Sequence, residues 1–144
     1  MTTATTRVAF TAVTPEPLDL EAHAAAVAGP GRGAVVTFAG VVRDSDGGHV
    51  VTGLEYVGHP TAPDVLAEVV AEVVAGSGAE CVAVSHRLGW LEVGETAFAV
   101  AVSGAHRREA FETASRLVDE VKARLPVWKR QVFDDGSAEW VNSA

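Results

Sequence analysis

The stretch ETAFAVAVSGAHRREAFETASRLVDEVKARLPVWKRQVF, residues 95–133, sets two strands on either side of one helix and decides the fold class. Glu95 to Ser103 is built from small, β-branched and aromatic residues and reads as a strand. From Ala105 to Arg124 the apolar side chains Phe111, Ala114, Leu117, Val118 and Val121, continued by Leu125, recur at three- and four-residue spacing, the stripe of an amphipathic helix. Pro126 has no N–H to donate and its ring excludes a further turn, so the helix stops there. Val127 to Phe133 then returns to strand composition.

Working outward, Glu80 to Leu88 reads as the strand before Glu95, with Gly89-Trp90-Leu91-Glu92-Val93-Gly94 as the turn region between them. Thr61 to Ala75 is a second helix, with Val65, Leu66, Val69, Val70, Val73 and Val74 on its stripe, Pro63 near its start and Gly76 after its end. Gly33 to Arg43 and Val50 to Val57 are strands, expected to form a hairpin across the loop Asp44 to His49. Arg7 to Val13 is a first strand and Leu18 to Ala28 a first helix, entered through Pro15 and Pro17 and ended by Gly29-Pro30-Gly31. At the far end, Asp134-Asp135-Gly136 turns Val127–Phe133 back onto Glu139–Val141. The order β-α-β-β-α-β-β-α-β-β, with strand pairs around single helices, favours an α+β sandwich over a doubly wound parallel sheet, which needs a helix between nearly every pair of strands.

With 144 residues, 48% of them hydrophobic, the chain suits one domain over 1–144 with a core of its own. Its net charge of -8 opposes binding to nucleic acid and to anionic membranes. Cys81 is the only cysteine, which excludes an internal disulfide or a CxxC pair and fits a reducing compartment. No apolar run is long enough to span a bilayer, and MTTATTRVAFTAV lacks the basic start and unbroken apolar stretch of a leader, so a soluble cytoplasmic protein is expected.

Charge is unevenly spread. Residues 106–130 carry seven of the eleven Lys and Arg against four of the nineteen acids. A basic island in an acidic protein fits a small anion in a pocket better than a long polyanion, and on charge alone it fits one charged, solvated helix as well. Both lysines, Lys122 and Lys129, lie in this island on either side of Pro126. A lysine crowded by other cations loses its proton more readily and can serve as acid, base or nucleophile; the structural alternative is a helix-end cation and an exposed strand residue. Ser103 to Arg108 puts His106 and Arg107 at a helix start, where free N–H groups already favour an anion such as phosphate; the alternative is a solvated helix start. Arg43 closes an apolar strand, where it either projects from the rim of a sheet into a pocket or is an ordinary surface strand end. GPGRG at 29–33 follows a helix and reads as a helix-to-strand turn; DSDGG at 44–48 lacks the further ligand positions of a calcium loop, and no metal site is expected. Cys81 reads as a buried inert thiol, and His86 and Trp90 as residues shaping the core and the turn that follows.

The segments GAVVTFAGVVRD, LEYVGHP, VSHRLGWLEVGE, VAVSGAHRREAFE and VKARLPVWKRQ, with WV near the end, resemble in sequence and order the large catalytic subunit of molybdopterin synthase, from residue 33 to 141. The AHR pattern and the two lysines with six residues between them, the second followed by arginine, are together the specific part. The resemblance implies an α/β-hammerhead-like sandwich with mostly antiparallel strands and three main helices. It implies a sulfurtransferase of molybdenum cofactor biosynthesis that forms the dithiolene on cyclic pyranopterin monophosphate, taking sulfur from the C-terminal thiocarboxylate of a small ubiquitin-like carrier subunit. No metal or organic cofactor is implied. By the same resemblance Lys122 and Lys129 are catalytic; Arg43, His106 and Arg107 bind the substrate's anion, and Arg130 and Gln131 flank Lys129 in the pocket wall. A homodimer at the centre of a heterotetramer is implied as well.

Two departures stand out: Val41 occupies a position where some members carry a lysine, and the chain stops at Ala144 where relatives often continue with basic residues. The residues taken alone also accommodate a noncatalytic adaptor for a ubiquitin-like tail, or a sensor of a small anionic metabolite. His106 and Lys122 are sixteen residues apart on one expected helix. At 1.5 Å per residue that is about 24 Å, too far to share one small substrate within a chain.

Overall fold

The computed structural model describes residues 5–141, so the terminal MTTA and the final residues up to Ala144 lie outside it. Four strands form the first sheet in the order β1 (Arg7–Thr14), β5 (Cys81–Arg87), β7 (Thr96–Gly104), β2 (Ala34–Val41). β1 runs parallel to β5; β5–β7 and β7–β2 are antiparallel. The two central strands are buried along nearly their whole length, because helices cover both faces of this sheet. One face carries α1 (Leu20–Val27), over a small cluster of Val27, Cys81, Ala83 and Ala101. The other carries α2 (Ala62–Val74) and α3 (Arg107–Arg124), whose stripes bury Leu66, Val69, Val70, Val73, Leu117 and Val121 in the main core. Arg124 ties the two helices through an ion pair with Glu72. α3 ends at Leu125, which is extended ahead of Pro126.

The second sheet is built on β4 (His49–Gly58), flanked by β8 (Val127–Phe133) with β9 (Ala138–Val141) beyond it, by β6 (Gly89–Glu92), and by the two-residue β3 (Ser45–Asp46). The α+β class, the three helices and the mostly antiparallel strands agree with expectation, and so does the closing hairpin β8–β9. The hairpin expected between Gly33–Arg43 and Val50–Val57 does not form. β2 pairs with β7 in the first sheet and β4 pairs with β8 in the second, and the chain changes sheets at Val42–Arg43. What the loop makes instead is the short β3–β4 hairpin, turned by Gly47 and Gly48 at φ +57° and +84°, the left-handed backbone that two-residue turns need. Within the expected turn at 89–94, Gly89–Glu92 is strand β6, antiparallel to β4. Its Trp90, expected to shape the core, is 44% exposed and lies across Gly53, where a Cβ would come 2.2 Å from the indole.

GPGRG is a helix-to-strand turn as expected: the Arg32 guanidinium donates to the Val27 and Ala28 carbonyls at the end of α1, at 3.0 and 3.1 Å. Cys81 is fully buried. His23, on the buried face of α1, donates from Nδ1 to the Asp19 carbonyl and accepts at Nε2 from the Ser85 hydroxyl, both at 2.7 Å.

Candidate functional site

The change of sheet at Val42–Arg43 opens a cavity of about 340 Å³ between the end of the first sheet and the inner face of the second. Strand periodicity decides which side chains of β8 face it. Lys129 lies opposite Tyr56 and Gln131 opposite Leu54 on β4, and all four line the cavity. Arg130, between them, lies opposite Glu55 and Trp140 and is not among the lining residues, so the expected pocket wall keeps Gln131 and loses Arg130. Arg43 comes from the end of β2, Phe98 from the start of β7, and Lys122 from the last turn of α3. Residues 79 apart in sequence, Arg43 and Lys122, thus meet Lys129 in one space.

Three cations share this cavity with one carboxylate. Asp46 accepts a hydrogen bond from the Gln131 amide at 3.0 Å and stands 3.9 Å from the Arg43 guanidinium. Burial holds the Lys129 ammonium below the usual lysine range; the charges of Lys122 and Arg43 push the same way, and Asp46 opposes them. Lys129 is therefore half-buried and acidified, not the exposed strand cation of the structural alternative. Burial also raises the Tyr56 phenol, which remains a neutral hydroxyl facing the lysines.

His106 and Arg107 are elsewhere. They line a surface groove at the start of α3 with Arg108, Glu109, Phe111 and Glu112, and α3 runs unbroken for eighteen residues from there to the cavity. A single chain does not bring them to the lysines. Three cavity residues escaped the sequence reading: Asp46, Tyr56 and Phe98. In sequence Asp46 belongs only to the DSDGG loop, and Tyr56 and Phe98 carry no local signal beyond strand alternation. Among the described residues, no group of three or more His, Cys, Asp or Glu is arranged to hold a metal ion, and no helix is long and apolar enough to cross a membrane.

The model of the MoaE protein family matches residues 13–124, more than half of the chain. The chain belongs to the MoaE family. Among curated relatives of this MoaE protein, catalytic subunit 1 of molybdopterin synthase from Mycobacterium tuberculosis is 37% identical over 130 residues, spanning 90% of this chain and 88% of the relative. Among solved structures, molybdopterin synthase from Staphylococcus aureus superposes with a TM-score of 0.82 at 29% identity, over 90% of this chain and 94% of that one. The MoaE protein of Burkholderia ambifaria gives a TM-score of 0.76 at 30% identity, over 98% and 90%. The family match ends at Arg124, so it includes Arg43, His106, Arg107 and Lys122 and stops short of Lys129 and Gln131.

Proposed function

We propose that the cavity is the sulfur-transfer site of a molybdopterin synthase: Lys122 is its principal acid/base, Lys129 assists beside the carrier's tail, and Arg43 holds the substrate's phosphate. The observation that carries this reading is the convergence of both lysines of the chain with Arg43 in one partly buried cavity of a MoaE protein. The thiocarboxylate of a small ubiquitin-like carrier supplies sulfur, and cyclic pyranopterin monophosphate receives it. Replacing carbon-bound oxygen by sulfur requires proton transfer at the oxygen that leaves and opening of the cyclic phosphate. An amine that can give and take a proton, beside fixed cations that stabilise developing negative charge, supplies both. Gln131 and Asp46 complete the wall by holding one another and Arg43. The reaction belongs to molybdenum cofactor biosynthesis, and the setting is the cytoplasm.

The separated His106 and Arg107 are explained by a two-fold homodimer. β2 is the free margin of the first sheet: one end, Ala34, pairs with Gly104 just before α3, and the other, Gly40–Val41, borders the cavity. Two β2 margins set antiparallel about a two-fold axis carry the start of each α3 toward the other protomer's cavity. The margin is suited to being covered, since Val35, Val41 and Phe111 are 45%, 47% and 60% exposed along it. A carrier at each outer end then completes a heterotetramer.

This allocation has a binding signature. Arg43→Ala and His106→Ala are each expected to weaken cyclic pyranopterin monophosphate about tenfold or more, the loss of a charge-assisted contact, while carrier affinity stays within about twofold. Calorimetric titration of each variant with each partner measures both. Equal losses for the two partners would contradict the assignment.

A further inference from the structure

Behind the cavity lies an imidazole that the reaction as described does not use. His86, on β5, is fully buried. Its Nδ1 is 2.8 Å from the Arg87 carbonyl, which can only accept, so Nδ1 carries the hydrogen and Nε2 presents a lone pair. That Nε2 is buried without a hydrogen-bond partner. The ring meets Tyr56 edge-on at 4.7 Å between centroids and Phe98 at 5.7 Å, and both of those side chains line the cavity beside Lys122. The ring therefore packs directly against the wall of the cavity that Lys122 also lines. Burial lowers the His86 pKa to about 4, with the charge of Lys122 acting in the same direction, so the ring stays neutral in neutral solution.

An open acceptor at such depth is costly, and phenylalanine would fill the same aromatic nest without that cost. The chemistry at Lys122 supplies a use for it. An amine that must deliver and recover a proton needs a fixed direction, and a neutral imidazole too weakly basic to take the proton can fix that direction by accepting one of its N–H bonds. We propose that His86 is a positioning residue for Lys122, with Nε2 as the acceptor that holds the amine at the back of the cavity during turnover. The inference rests on the role given to Lys122 above.

The test uses the complex with its carrier and two variants: His86→Phe keeps the ring packing and removes the acceptor, and His86→Gln restores an acceptor. Single-turnover rate, KM for the pterin and melting temperature are measured together with the labelling of each lysine by trinitrobenzenesulfonate, read by mass spectrometry. For His86→Phe the rate is expected to fall about tenfold or more, with KM within about twofold and melting at or above wild type. Lys122 should label about threefold faster while Lys129 is unchanged, and His86→Gln should recover much of the rate. A His86→Phe complex with wild-type rate and wild-type Lys122 labelling would overturn the proposal. So would a rate loss that glutamine does not relieve, with labelling unaltered. If the wild-type complex formed no dithiolene, the sulfur-transfer reading would fail, and the labelling of Lys122 would still decide the role of His86.

Discussion

Lys122→Ala should reduce dithiolene formation by about a hundredfold or more while the protein melts within a few degrees of wild type. The first figure is the usual contribution of a positioned acid/base; the second follows from what Lys122 does for the fold. It lies in the last turn of α3, where a cation stabilises the helix dipole by about 0.3–1 kcal/mol, whereas α3 is anchored through Ala110, Leu117 and Val121, all fully buried. Lys129→Ala should slow transfer less completely. Its ammonium is already held low by burial and by Lys122, so it suits a supporting role beside the carrier's tail. Single-turnover assays paired with calorimetric melting separate the two contributions. Normal turnover by Lys122→Ala would remove it from the mechanism, and a large loss of melting temperature would reassign it to the fold.

The second large effect is complementation. His106→Ala and Lys122→Ala homodimers should each be nearly inactive, yet mixed dimers should regain about half of the wild-type activity. If each site draws His106 and Arg107 from one protomer and Lys122 and Lys129 from its partner, as proposed, one site of a hybrid receives both damaged residues and the other receives neither. The expectation comes from the unbroken α3, which holds the two groups at opposite ends of an eighteen-residue helix. Hybrids purified through two affinity tags and assayed with carrier and pterin give the answer. No recovery, or a fully active monomer, would refute the shared site.

How much of this was legible in the sequence depends on the range of the force involved. Periodicity, Pro126 and the glycine turns are local signals, and they placed all three helices and the strands β1, β2, β4, β5, β7, β8 and β9 within a few residues of their observed bounds. Pairing is not local. Gly33–Arg43 and Val50–Val57 are adjacent in sequence and both rich in β-branched residues, so a hairpin was the short-range expectation; the partners that won, β7 and β8, lie far along the chain. The same limit applies to the cavity. The lysines and Arg43 stood out because cations are scarce in this acidic chain, but Asp46, Tyr56 and Phe98 became neighbours only when the sheets closed. Arg130 illustrates the strand rule: one residue from Lys129, it is carried by the alternation away from the cavity that Gln131 faces.

Sulfur transfer from a protein thiocarboxylate to a pterin at this cavity is directly measurable. Purified chain mixed with thiocarboxylated carrier and cyclic pyranopterin monophosphate should yield dithiolene, detected as the oxidised fluorescent pterin, with two carriers consumed per product. The same carrier ending in a plain carboxylate should yield none. Tight binding of both carrier forms without any dithiolene would contradict the account and mark the chain as an adaptor for the carrier's tail.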